Sequence, residues 1–221
     1  MKLAVNAITK FVVGLFVVSF LVFLPAGTLN YINGWVFISV LFTPIFILGL
    51  LLLIKSPELL RKRLDGKEKE TTQKGVVAFS ALIFLCGFVI SGFDFRFSWS
   101  HVPSYISYFA IALFLASYVI YAEVMRENEY LSRKIEVHDN QKLVDTGLYG
   151  IIRHPMYSAT ILMFLMIPLI LGSWYSFLVF MFYPIIIAIR INNEENILTE
   201  QLHGYAEYKE KVKYKIIPFI W

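Results

Sequence analysis

The chain has 221 residues, of which 58% are hydrophobic, 17% aromatic and only 16% charged, with a formal net charge of +4. A soluble domain carries nearer a quarter charged residues, so composition excludes an ordinary water-soluble globule. The modest positive charge comes without any aromatic–basic recognition module, which points to membrane lipids and not nucleic acid as the surface partner.

Six apolar blocks follow one another: Phe11–Gly27, Trp35–Ile54, Gly75–Gly92, Val102–Ala122, Met156–Gly172 and Trp174–Ile189. None contains Asp, Glu, Lys or Arg. Each approaches or reaches the length that crosses about 30 Å of hydrocarbon. The pattern predicts an all-α fold, a polytopic integral membrane helical bundle with about six transmembrane helices. Lys2 and Lys10 precede the first block as they would in a signal peptide. Its apolar run is long, though, and no small-residue cleavage pattern closes it, so a retained helix is expected.

After the second block, Lys55–Lys74 mixes dense charge with a narrow apolar stripe of Leu59, Leu60 and Leu64. Ser56 is placed to cap and Pro57 suits a first helical turn. A short interfacial helix and a charged loop both fit this stretch. The third block holds the single cysteine, Cys86, which excludes a disulfide framework or a thiolate metal cluster and reads as apolar filler. Between the third and fourth blocks, Gly92–His101 is rich in aromatics of the kind that anchor helix ends at headgroup level. There, Asp94 and Arg96 could pair locally.

Glu123–Tyr149 is the long polar stretch of the chain. Glu123, Arg126, Glu127 and Glu129 continue the fourth span as a helix. Ile135, Val137, Leu143 and Val144 predict a more extended piece, and Thr146-Gly147 a turn. Arg153-His154-Pro155-Met156-Tyr157 then opens the fifth span. Pro155 suits the first helical position, and the first turn leaves backbone N–H groups that favour an anion. Arg153 and His154 add positive charge there. A basic membrane anchor with an interfacial tyrosine fits the same residues.

Arg190 and Glu194 follow the sixth span four residues apart and so share a helical face. A charge abutting an apolar span marks a site, although a simple helical ion pair has the same spacing. Glu195 points to another face and is expected to be solvated. Gly172-Ser173-Trp174 is a tight connection, which predicts antiparallel packing of the fifth and sixth helices. That packing would bring His154 and Tyr157 beside Arg190 and Glu194.

Of the 20 Lys and Arg residues, two lie in the N-terminal tail, seven in Lys55–Lys74, five in Glu123–Arg153 and five from Arg190 onward, leaving Arg96 alone on the other side. This alternation predicts that both termini and the site are cytoplasmic.

The motif Leu143-Val144-x-x-Gly147-x-Tyr149-x-x-x-Arg153-His154-Pro155-Met156-Tyr157, followed by Arg190-x-x-x-Glu194-Glu195-x-x-Leu198, resembles the isoprenylcysteine carboxyl methyltransferase family and related membrane phospholipid methyltransferases. The Tyr205-Ala-Glu-Tyr208 tail and Pro218 fit as well. The front half matches in general layout only. The resemblance implies S-adenosylmethionine bound by Gln141, Lys142, Leu143, Val144, Tyr149, His154, Pro155, Met156, Tyr157 and Glu194. It also implies that Arg190 holds the acceptor group, so that Arg190 and Glu194 are the catalytic pair. No metal is expected, because methyl transfer needs alignment and charge complementarity. Family members often carry Phe-Gly-x-x-Tyr before the final Tyr-x-x-Tyr; here Leu202-His203-Gly204-Tyr205 is one residue shorter, so the resemblance assigns no role to Tyr205 or Tyr208.

The expected organisation is residues 1–122 as four spans with the interfacial loop 55–74, and residues 123–221 as the catalytic region with the cytoplasmic loop, the hairpin 155–189 and the tail. The expected activity is methyl transfer to a lipophilic acceptor entering from the bilayer: a prenylcysteine-like carboxylate, a phospholipid amine or another small lipophile. Two alternatives remain. One is an NADPH-dependent membrane reductase of the sterol reductase type, for which cationic residues are few. The other is a non-catalytic lipid-binding or transport protein, against which the charge-free spans argue.

Overall fold

The computed structural model describes residues 2–65, 71–131 and 141–221. All regular structure among the described residues is helical: α1 (Lys2–Ala26), α2 (Ile32–Lys55), α3 (Pro57–Leu64), α4 (Thr71–Phe97), α5 (Ser104–Glu127), a 3-10 turn (Gly147–Gly150), α6 (Pro155–Leu171), α7 (Trp174–Phe180), α8 (Tyr183–Gln201) and α9 (Tyr205–Lys211). Five helical stretches are long and apolar enough to cross a membrane, with α7 and α8 counted as one, and α6 is a shorter apolar helix. Their outward faces carry Phe16, Phe20, Val119 and Leu178, all well exposed, as a lipid-facing surface requires.

The expected sixth span is two helices. Pro184 has no N–H to offer the Phe180 carbonyl, so the ladder is interrupted at Met181–Phe182 before α8 resumes. Helix α8 then runs past Ile189 to Gln201, which carries Arg190, Glu194 and Glu195 on regular helix. The α6–α7 turn is as tight as expected. Gly172 adopts a left-handed φ of 85°, Ser173 N–H donates to the Pro168 carbonyl, and Gly172 N–H to that of Leu169. The Ser173 hydroxyl in turn accepts from Ser176 N–H to cap α7.

The principal partner of α6, however, is α5 rather than its hairpin neighbours. Ser107, Ala110, Phe114 and Ser117 recur on one buried face of α5, and the small ones let α6 approach closely. Ser107 Oγ donates to the Leu169 carbonyl at 2.8 Å.

At the end of the bundle away from Pro155, the expected Asp94–Arg96 pair is replaced by a different network. Asp94 is only 1% exposed and accepts from Ser100 N–H (2.7 Å), Ser100 Oγ (2.6 Å) and Ser173 Oγ (2.5 Å). One carboxylate thereby ties the α4–α5 connection to the α6–α7 turn. Phe93, Phe97, Trp99 and Tyr175 form a chain of rings beside it.

At the opposite, basic end, α3 is a helix, as one reading of that loop expected, with Leu59 and Leu60 buried. Ser56 sits at its N-cap position without a side-chain cap bond. Lys10 Nζ donates to the Leu64 carbonyl, tying the start of α1 to this end. Residues 66–70 of the loop, and Ile135 and Val137 of the expected extended piece, lie outside the described residues, whereas Leu143 and Val144 lie in an irregular segment.

Candidate functional site

The site lies at the basic end, where α5 stops, α6 starts and α8 emerges. Glu127, at the last turn of α5, accepts from Leu148 N–H at 3.0 Å and so orients the 3-10 turn. Gly147 has a φ of 57°, and a Cβ there would run into the Glu127 carboxylate, so glycine is required at this turn. The turn presents Tyr149 inward. Its hydroxyl accepts from Asn128 Nδ2 at 3.1 Å, and its carbonyl accepts from Tyr208 at 2.6 Å. Burial is the main cause that pushes the Tyr149 phenol up to about 12, and hydrogen bonding to Asn128 opposes it.

Pro155 is the first residue of α6, as expected, and His154 is the N-cap residue. Arg153 and His154 are tied to the C-terminal segment and to α8. Their backbone N–H groups donate to the Tyr214 and Lys215 carbonyls, at 2.9 and 2.8 Å, and those of Tyr157 and Ser158 turn back to the His154 carbonyl. Their side chains face Glu195, which the sequence reading placed in solvent and which is only 4% exposed. Arg153 Nε donates to Glu195 Oε1 at 2.7 Å, His154 Nε2 lies 3.2 Å from the same oxygen, and Lys215 Nζ lies 3.1 Å from Oε2. The C-terminal segment past Val212 folds back over α6 and supplies the cover that buries Glu195. A buried carboxylate persists only when its charge is matched in this way. Arg153 and His154 thus form an ion cluster with Glu195 and also line the cavity beside Lys142 and Arg190.

Arg190 and Glu194 do share a face of α8, and Tyr157 bridges them. Arg190 Nε donates to the Tyr157 hydroxyl at 2.8 Å, and that hydroxyl donates to Glu194 Oε2 at 2.5 Å. The juxtaposition expected from the hairpin is therefore present, joined through a phenol.

These groups open onto a cavity that is open on one side. Gln141, Lys142, Leu143, Val144, Tyr149, His154, Met156, Tyr157, Arg190 and Glu194 all line it. Pro155 does not; it sets the helix start one residue away. Sequence reasoning missed Asn128, Leu131, Leu198, Leu202, Tyr205 and Tyr208 in the wall. Gly204, with a φ of 82°, turns the chain into α9 and seats both tyrosines inside despite the shortened segment before them. The Tyr205 hydroxyl is buried and has no hydrogen-bond partner among the described residues. Burial holds the Tyr205 and Tyr208 phenols above their ordinary value. The spacing Tyr205-x-x-Tyr208 was the signal available for them.

A second cavity lies between α4, α6 and α8 below the tip of α3. Val76, Val77, Ala81, Phe84, Phe164 and Ile187 make it apolar, and Arg63 and Tyr121 stand at it. It shares Met156, Tyr157 and Arg190 with the first cavity. A polar chamber and an apolar groove therefore meet across a partition made of three side chains.

Residues 102–205 match the family model described as phospholipid methyltransferase. The matched stretch begins just before α5 and ends at Tyr205, so it takes in most of the polar chamber. The resemblance read from the two motifs holds at the level of this family and supports a membrane methyltransferase in general. A comparison with curated proteins found no match.

Proposed function

We propose, on the premise that residues 102–205 are phospholipid-methyltransferase sequence, that this protein is an S-adenosylmethionine-dependent methyltransferase acting on a lipophilic acceptor from the bilayer. The observation that carries the proposal is the pair of cavities, one polar and one apolar, meeting at Met156, Tyr157 and Arg190. Two ligands of opposite character can thus be held apart except at one point of contact.

The chamber's chemistry suits the cofactor. Glu194 offers a carboxylate for cationic, amine or hydroxyl groups, and Leu143 and Val144 add apolar wall. The orphaned Tyr205 hydroxyl is a buried donor that a polar ligand atom would satisfy. When bound, S-adenosylmethionine supplies an electrophilic methyl group on a positively charged sulfur. Arg190 lies at the junction with a guanidinium fork that fits an acceptor carboxylate in bidentate geometry. A carboxylate acceptor is already ionised near neutral pH, so no strong general base is called for. Tyr157 fixes Arg190 and Glu194 relative to each other, and the apolar groove excludes water from the acceptor's chain. A prenylcysteine-like carboxylate fits Arg190 best. The basic end carries the site, and the positive-inside rule puts it, with both termini, in the cytoplasm.

Purified protein titrated separately with S-adenosylhomocysteine and with NADPH tests the cofactor. Binding of the first, together with transfer of radiolabelled methyl into a membrane lipid extract, is the expected result. Binding of NADPH alone would overturn the proposal in favour of a reductase, and a Glu194→Gln variant with full activity would overturn the assignment of that residue.

A further inference from the structure

The segment that covers Glu195 carries an apolar tip that faces outward. Ile216 and Ile217 N–H groups both donate to the Trp221 carbonyl, at 2.9 and 3.0 Å, and Trp221 N–H donates to the Ile217 carbonyl at 3.1 Å. Residues 216–221 thereby close into a compact turn. On it, Ile217, Phe219 and Ile220 are 46%, 86% and 77% exposed. Phe219 holds a left-handed φ of 66°, a conformation that a bulky residue rarely adopts. Its ring meets that of Tyr214 at 5.3 Å between centroids and otherwise projects outward. Three large apolar side chains turned outward on one short turn mark a contact surface.

The height of this turn in the bundle is set by α6. Arg153 and His154 N–H groups donate to the Tyr214 and Lys215 carbonyls, and Ser158 Oγ donates to the Ile216 carbonyl at 2.6 Å. The tip is therefore strapped to the first turn of α6. That helix has 17 residues. At about 1.5 Å per residue it covers about 25 Å, less than the roughly 30 Å of hydrocarbon. Trp174 and Tyr175, both partly exposed, mark the far boundary. The first turn of α6 thus lies at the near boundary and not above it. The segment has the side chains suited to that level. Tyr214, Phe219 and Trp221 supply rings, and Lys215 Nζ stands 5.1 Å from the Trp221 ring centroid. Amphipathic rings and lysines with apolar stems settle where headgroups meet hydrocarbon.

We infer that residues 214–221 are an interfacial anchor, with Ile217, Phe219 and Ile220 seated in the bilayer at the boundary of headgroups and hydrocarbon. Lys215 joins the anchor to the interior, since its Nζ bonds Asn192 Oδ1 at 2.6 Å and lies 3.1 Å from Glu195 Oε2. Lipid seating of the tip holds the cover over Glu195 closed. It thereby steadies Arg153 and His154, which Glu195 grips at the chamber wall. The anchor requires the bilayer alone and is independent of the reaction.

The test places nitroxide spin labels singly at positions 217, 219 and 220 of the full chain, in a Cys86→Ala background in nanodiscs. Labels at the exposed residues Leu178 and Glu207 serve as lipid and water references. Power saturation with oxygen and a nickel chelate reads depth. The oxygen-to-nickel ratio at 219 and 220 should stand well above that at 207 and approach that at 178. A ratio equal to that at 207 would overturn the inference by putting the tip in water. Shielding from both reagents, with dipolar broadening between labels, would overturn it in favour of a second copy of the chain. Trypsin then tests the clamp without labels. Phe219→Ser/Ile220→Ser should speed cleavage after Lys213 and Lys215 at least about tenfold, since seating two large apolar side chains is worth more than that factor. Phe219→Leu/Ile220→Leu drops the Tyr214 ring contact but stays apolar, and should remain within about threefold of wild type. Unchanged cleavage in the serine variant, or equal acceleration in both variants, would overturn the role of lipid in holding the cover.

Discussion

Substitution of Glu195 by Gln should loosen the C-terminal segment without touching the cavity wall. The carboxylate faces Arg153, His154 and Lys215, and the Arg153 side chain is only 6% exposed. Removing one partner of a buried ion pair costs about 3–5 kcal/mol. The glutamine amide keeps one acceptor for Arg153, which favours the lower end, about 3 kcal/mol or roughly a hundredfold in the opening equilibrium. The loss is local, because the segment's other ties to α6 are the Arg153 and His154 amides to Tyr214 and Lys215, Arg153 Nη1 to the Val212 carbonyl, and Ser158 Oγ to the Ile216 carbonyl. Trypsin cleavage at Lys209, Lys211, Lys213 and Lys215, followed by mass spectrometry in nanodiscs, reports the opening. Cleavage there should accelerate strongly in Glu195→Gln and hardly at all in Glu194→Gln, whose carboxylate is partly exposed and has no counterpart to Arg153 among the described residues. Replacing Arg153 and Glu195 together, by Met and Leu, should recover much of the loss, since apolar substitutes for a whole buried ion pair are often tolerated. Wild-type cleavage kinetics in Glu195→Gln would refute the assignment of Glu195 as the anchor of this segment.

Tyr205→Phe removes a hydroxyl that has no hydrogen-bond partner among the described residues, so stability of the ligand-free protein should change by less than about 1 kcal/mol. Affinity for S-adenosylhomocysteine should fall about five- to tenfold by calorimetry, and unchanged affinity would mean that the hydroxyl meets no ligand. Alkaline pH should destabilise the site region. The Tyr149 phenol is held at about 12, above the unfolded value near 10. The unfolded chain therefore loses its proton first as pH rises, and stability, level below about pH 10, falls from there toward 12. Thermal melts of wild type and Tyr149→Phe through this window should diverge, and parallel curves would contradict it. Ser173→Ala removes both the cap of α7 and a donor to buried Asp94, so a loss of about 1–3 kcal/mol in thermal unfolding is expected, with S-adenosylhomocysteine affinity unchanged because the site is at the other end of the bundle.

The apolar blocks and the Gly172 turn were legible because bilayer crossing and tight turns impose strong local patterns on sequence. The shared face of Arg190 and Glu194 followed from helical spacing alone. Glu195 was misread because spacing says only that it points elsewhere on α8. What lies there depends on the tail from Val212 to Ile216 folding back, which no local pattern announces. The break at Met181–Phe182 was signalled by Pro184, yet proline is tolerated in membrane helices when neighbours satisfy the freed carbonyl, so the residue alone did not decide it. The groove was hidden for a different reason. Arg63 and Arg190 are far apart in the chain, and only the seating of α3 brings the first to the wall that holds the second.

Met156, Tyr157 and Arg190 belong to both cavities, so neither chamber nor groove can reshape its inner wall alone. A ligand that shifts these side chains on one side would be felt on the other, and equilibrium would require the influence to be mutual. By whatever factor a nucleoside ligand strengthens retention of a lipid, the lipid strengthens retention of the nucleoside. On the proposed activity, a methylated product that no longer grips Arg190 would relax the opposite chamber as well, so that departure of one spent ligand would favour departure of the other.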